Sequence, residues 1–457
     1  MVLSVKGNLT FRGGEPSWAN ACVGDNGSPD FFYYAKGYSS AANLLIRAAL
    51  SDYSSKYPVD LFVYPICFNM RHSVELRLKG AFEALEKISE HRHPLPFFSL
   101  KGSHDIGRIW CYIKQESIRL DERFVFFTSF LDRYILDIAA VDATGQTFRY
   151  PNDSDNVKHL VEVDTINVGV LFRRFNALEK LLDNFESFCC EIVSEYDLKT
   201  YTTNLSRSQL FEIADLIPPE SEWGSQQFKD LKNELKAKYG IGSKEFGDAL
   251  CKIKGHYGAA PALEPPPLKF LTVDVLFCFF DAWCDLNDVE LLRNRPKIET
   301  IDFSDDSQVI SGFERIRERG LKEVEVWPVI KEKININQVA ELKALFGSCD
   351  SQYSEVYVHC VEVEKEKFAA CADVSKIIKH EVLRLLRNGQ AFDYVLKVLY
   401  LIGHHKIAEL IVERYKVGDC FEWLDAARNR RLFVEPYRRV FSQTLDAFVD
   451  DHEAGVE

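Results

Sequence analysis

Between Tyr57 and Glu90 the sequence writes one long helix with two conflicting demands. At about 100° per residue, Val63, Val74, Leu78 and Leu85 share one apolar face. His72, Glu75 and Lys79 form a separate polar stripe, and Arg71 falls between Leu78 and Phe82 at the margin of the wall. A guanidinium cannot shed its charge, so an arginine buried there requires a carboxylate or carbonyl oxygens. Glu75, one turn on, is the nearest carboxylate. Two readings are open: an ion pair that fixes helix packing, or the polar wall of a pocket. Pro58 suits a first turn, whereas Pro65 implies either a kink or a helix that begins after it.

A chain of 457 residues is long for one core. With 33 Phe, 19 Tyr and 46% hydrophobic residues it is a folded globular protein. The formal charge of -13 opposes nucleic-acid or anionic-membrane binding over the whole surface, though it permits a local basic groove. No secretory pattern opens the chain, and its most apolar window, Leu271 to Trp283, is interrupted by Asp274 and Asp281. A cytoplasmic protein with no membrane partner is expected. The 12 cysteines form no C-x-x-C pair and no zinc spacing, and read as reduced packing residues. His91 and His93 have no third ligand nearby, so neither a metal nor another cofactor is expected.

Along the chain, residues 1–30 read as a flexible, Gly/Ser/Asn-rich arm with a short strand at Val2 to Phe11. Residues 31–200 read as a bundle of four or five helices. Its helices fall at about Phe31–Leu50, the Tyr57–Glu90 stretch, a segment capped by Ser103, Asp121–Ala140, and Val161–Val193. Residues 201–260 form a small helical unit, followed by the proline-rich stretch Gly258 to Pro267. Residues 261–457 are expected to be helical, with Leu271–Leu292 as one helix and another from Phe313 to Arg319 stopped by Gly320. In that region Glu323–Trp327 and Glu355–Val363 alternate apolar and polar residues, which predicts a two-stranded element. The fold class expected is therefore mostly α, with a minor β element.

Familiar enzyme motifs are missing: no G-x-S-x-G elbow, no phosphate-binding glycine loop, no H-E-x-x-H and no dinucleotide turn. His104 and Asp105 sit at the start of the third helix, where a helix end favours a neutral imidazole and a carboxylate. The pattern Arg71-His72-x-x-Glu75-x-x-x-Lys79, with Tyr64-Pro65, Phe68, His104-Asp105 and Phe148-Arg149-Tyr150-Pro151, resembles a group of uncharacterised bacterial proteins bearing a HEPN-like helical domain. The resemblance covers about residues 31–195. It implies a helical bundle that dimerises or binds a protein partner, of the kind found in antiphage and toxin systems, where many members are ribonucleases. Catalytic members carry an arginine, four to six intervening residues, then a histidine. None of the 11 histidines here has that arginine.

Three readings follow. The first is a defence-associated binding or regulatory module that recognises RNA, a small ligand or a protein. The second is a metal-independent endoribonuclease in which Arg71, His72, Glu75 and His104 carry the chemistry, while Lys79, Asp105, Arg149 and Tyr150 bind the substrate. The third is a helical scaffold subunit, in which the same residues form a sealed and fully satisfied network. Whether the chain is an enzyme at all is left open at this stage.

Overall fold

Val59–His91 forms one helix, unbroken through Pro65, and the first unit is built on it. The computed structural model of the protein describes residues 8–51, 57–153, 155–259, 261–287, 289–294, 306–370 and 373–453. The chain divides into two compact units, Met1–Ser194 with Val440–Glu457, and Glu195–Arg439.

In the first unit, α1 (Phe31–Ser51) lies along α2 (Val59–His91), followed by α3 (Ile106–Leu120), α4 (Phe124–Asp142) and α5 (Val168–Asp197). Each buries an apolar stripe at helical spacing: Ala35, Ala42 and Ile46 on α1, Val74, Leu78 and Leu85 on α2, Phe127, Leu131 and Ile135 on α4. A buried arginine, Arg77, ties three helices together. It donates to Ser39 Oγ on α1 (2.7 Å) and to Asp183 Oδ1 on α5 (2.7 Å). Phe124, Phe127 and Phe188 pack ring to ring, and Phe441 stacks on Phe126 at 4.1 Å to close that cluster.

The second unit holds α6 (Arg207–Leu216), α7 (Gln226–Tyr239), α8 (Ser243–Lys254), α9 (Val273–Leu286), α10 (Val289–Asn294), α11 (Asp306–Ile330), α12 (Ile336–Gly347), α13 (Glu355–Ala369), α14 (Val374–Leu386), α15 (Ala391–Leu401), α16 (His405–Tyr415) and α17 (Leu424–Arg428). A last helix, α18 (Pro436–Glu453), contributes its residues from Val440 onward to the first unit. The main core gathers Phe279, Phe280 and Trp283 of α9 with Leu342 and Leu345 of α12, Tyr357 of α13 and Phe392 of α15. Ahead of α9 the backbone is pinned by Glu341, a carboxylate with no exposed surface. It accepts the N–H groups of Lys269, Phe270 and Leu271 at 2.6–2.7 Å, and also the Tyr357 hydroxyl.

The expected β element is not formed. Among the described residues there is no strand, only an isolated bridge between Asn152 and Lys158. Both alternating segments are helical, Glu323–Trp327 within α11 and Glu355–Val363 within α13. Their apolar residues also satisfy a four-residue period: Val326 with Ile330, and Tyr357 with Val361, are the pairs that become buried. Packing of those stripes outweighs the β-branched alternation. Gly320 does not stop a helix but lies inside α11, and the Leu271–Leu292 segment splits into α9 and α10. The third helix starts at Ile106, and its cap is Asp105 in place of Ser103: the Asp105 carboxylate accepts the Arg108 N–H at 2.9 Å.

The strand expected at Val2–Phe11 falls mainly outside the described residues, while residues 8–28 are exposed throughout. Among the described residues no helix is long and apolar enough to cross a membrane.

Candidate functional site

The Arg71 guanidinium is buried and points at the C-terminal end of α4. Its Nε donates to the Asp142 carbonyl (3.2 Å) and its Nη2 to the carbonyls of Ala143 (2.6 Å) and His104. Its Nη1 donates to the Glu75 carboxylate. Helix C-termini concentrate partial negative charge on unpaired carbonyls, so the end of α4 is a natural seat for a cation. The chain reaches that geometry because Asp142 Oδ1 accepts the N–H groups of Gly145 (2.8 Å) and Thr147 (3.2 Å), folding the backbone back after α4. Gly145 has φ +78°, and a Cβ there would stand 3.0 Å from Arg71 Nη1.

Glu75 is the hub. Beyond Arg71 it receives Lys79 Nζ at 2.7 Å and faces His104 Nδ1 at 2.9 Å, while His72 Nδ1 stands farther off at 3.7 Å. Burial alone would raise this carboxyl. The His72, Lys79 and His104 side chains and the Arg71 charge outweigh that and hold it well below the usual carboxylate range. Two fixed cations, Arg71 and Lys79, thus share the Glu75 carboxylate, and Asp142, whose carbonyl accepts Arg71 Nε, brings a second buried carboxylate close by.

Above this hub the surface is aromatic and cationic. The His72 ring stacks on Phe68 (5.7 Å, 8° between planes) and meets Tyr38 edge-on at 4.4 Å. Exposed Arg149 lies 5.6 Å from the Phe68 ring centroid and 5.2 Å from that of Tyr150, and donates to the Tyr150 hydroxyl at 3.2 Å. On another side of Arg71 an apolar pocket of about 240 Å³ is lined by Met70, Ile138, Val141, Phe148, Leu171 and Phe175. Cys67 borders it, but burial, followed by the Asp142 charge, pushes its thiol up to about 12, so it is not a nucleophile near neutral pH.

The structure therefore brings Arg71, His72, Glu75, Lys79 and His104 around one carboxylate, and places Arg149 and Tyr150 beside them through Phe68. Asp105 serves as the α3 cap. Sequence reasoning passed over the Asp142 and Ala143 carbonyls, Gly145 and Tyr38. The available signal was Asp142-Ala143-Thr144-Gly145, an aspartate three residues before a glycine directly after a helix. Among the described residues no group of three or more His, Cys, Asp or Glu side chains is arranged to hold a metal ion. No protein-family model matches the chain, and comparison with curated proteins and with solved structures gives no significant match.

Proposed function

We propose that the first unit is a HEPN-like binding module that recognises single-stranded RNA, in the manner of defence-associated proteins of that kind. The observation that carries this reading is the surface of Phe68, His72, Arg149 and Tyr150, where an exposed guanidinium lies against two aromatic rings. Ring faces accept unpaired bases at about 1–3 kcal/mol per stacked base, and an exposed guanidinium pairs with phosphate. Arg71 is fully occupied by Glu75 and carbonyls. Its part is to hold the hub, not to touch RNA.

Fluorescence anisotropy with short single-stranded RNA tests this directly. Phe68→Ala and Arg149→Ala should each weaken binding roughly tenfold or more, and Arg149→Ala should reduce the salt slope by about one. Unchanged affinity in both variants would rule out this surface.

A second reading, metal-independent cleavage of RNA, is favoured by partly exposed His72 standing 3.7 Å from the ionised Glu75 carboxylate. In it His72 transfers the proton and Arg149 holds the phosphate. Cleavage that survives EDTA, and is lost in a His72→Ala protein with an unchanged melting temperature, is the expected result. Cleavage equal in wild type and His72→Ala would exclude it.

A further inference from the structure

We propose that the second unit carries a site for a small phosphomonoester, with Arg430 as the residue that receives the phosphate. Arg430 lines two adjoining voids that also share Gly258 and Pro261, a small one of about 80 Å³ and a larger one of about 380 Å³. Its charge is poorly neutralised for a residue so placed. The nearest carboxylate among the described residues is Asp215 at 4.0 Å, and its one hydrogen bond is a 3.4 Å contact to the Gly258 carbonyl. Its backbone is also left-handed, φ +55°, an uncommon conformation outside glycine.

The small void has the character of an anion subsite. His405 borders it, edge-on to the Tyr400 ring at 5.2 Å, and His256, nine-tenths buried, keeps Nδ1 unpaired while Nε2 lies 2.8 Å from Glu355. The single carboxylate on its wall, Glu264, is turned outward onto Lys406 at 2.5 Å. Gly258 and Gly403 form the floor, backbone against backbone, and a Cβ on Gly258 would fall 2.4 Å from the Leu401 carbonyl. A void of about 80 Å³ is several times the roughly 10–15 Å³ that one water needs, which leaves room for a tetrahedral oxyanion. The larger void is lined by Glu212 and Asp215, by Ser208 and Tyr437, whose hydroxyls bond each other at 3.0 Å, and by the Phe211 ring. These suit a hydroxyl-bearing body such as a ribose. A guanidinium is the group best shaped for a phosphate.

Isothermal titration of the full-length chain with inorganic phosphate, AMP, adenosine and a 5′-phosphorylated tetranucleotide tests the proposal. AMP should bind more tightly than either phosphate or adenosine. Arg430→Gln should weaken AMP by about tenfold or more, and Arg430→Lys should restore part of that loss. Because Arg430 is under-neutralised, Arg430→Gln should keep or raise the melting temperature, so a lost signal cannot be ascribed to unfolding. A tetranucleotide that binds more tightly than AMP assigns the site to a nucleic-acid end, and weaker binding assigns it to a free nucleotide. The proposal is overturned if AMP and adenosine bind equally, if no phosphorylated probe binds at millimolar concentration, or if Arg430→Gln binds AMP like the wild type.

Discussion

Arg71 shows why a single buried charge can dictate a local fold. Removing it takes one of the two fixed cations from the Glu75 carboxylate and leaves the carbonyls of His104, Asp142 and Ala143 without their donor. Breaking a buried pair of this kind costs about 3–5 kcal/mol, so Arg71→Ala should lose that much in urea unfolding. Gly145→Ala places a side chain in the left-handed region and against the guanidinium, at an expected cost of about 1–3 kcal/mol. Glu75 also sets an acid dependence. Its folded carboxyl lies below an unfolded value of about 4.3, so its stabilising contribution is complete above that pH and is lost as pH falls through the folded value. Melts from neutral pH to about pH 3 should therefore show acid destabilisation that Glu75→Gln flattens, with a penalty already present at neutral pH. The demand for partners around Arg71 was legible in the sequence, because the residue sits on an apolar face. The identity of most of those partners was not. They are main-chain carbonyls, and carbonyls leave no mark on residue type.

At the scale of the element, periodicity located the helices of the first unit to within a few residues, and the stretch expected to contain a helix from Val161 to Val193 holds most of α5. It failed where a segment fits two periods at once. Glu355–Val363 alternates like a strand, but Tyr357 and Val361 are also one helical turn apart, and only packing with partners distant in sequence decides between the two. Glu341 is the opposite case: an ordinary acidic residue in the sequence that in the structure fastens three successive N–H groups ahead of α9. Glu341→Ala should cost about 3 kcal/mol or more, since buried donors to a charged acceptor lose their partner. Limited proteolysis should then cut near Lys269, a site protected in the wild type.

At the scale of the whole molecule, each unit buries a core of its own. Calorimetry should resolve two unfolding transitions, with Arg71→Ala lowering one and Glu341→Ala lowering the other. The bundle of the first unit was readable because its helices are long and strongly amphipathic. That residues after Val440 return to it was not, since a helix's apolar stripe does not state which surface it covers. This return has a consequence for synthesis. The aromatic cluster of Phe126, Phe127 and Phe188 is completed by Phe441, so the first unit emerges from the ribosome without one of its own rings. At about 5–20 residues per second, the stretch between Ser194 and Val440 takes roughly 10–50 s to translate. During that interval the nascent bundle lacks the ring that covers Phe126, Phe127 and Phe188 in the folded chain.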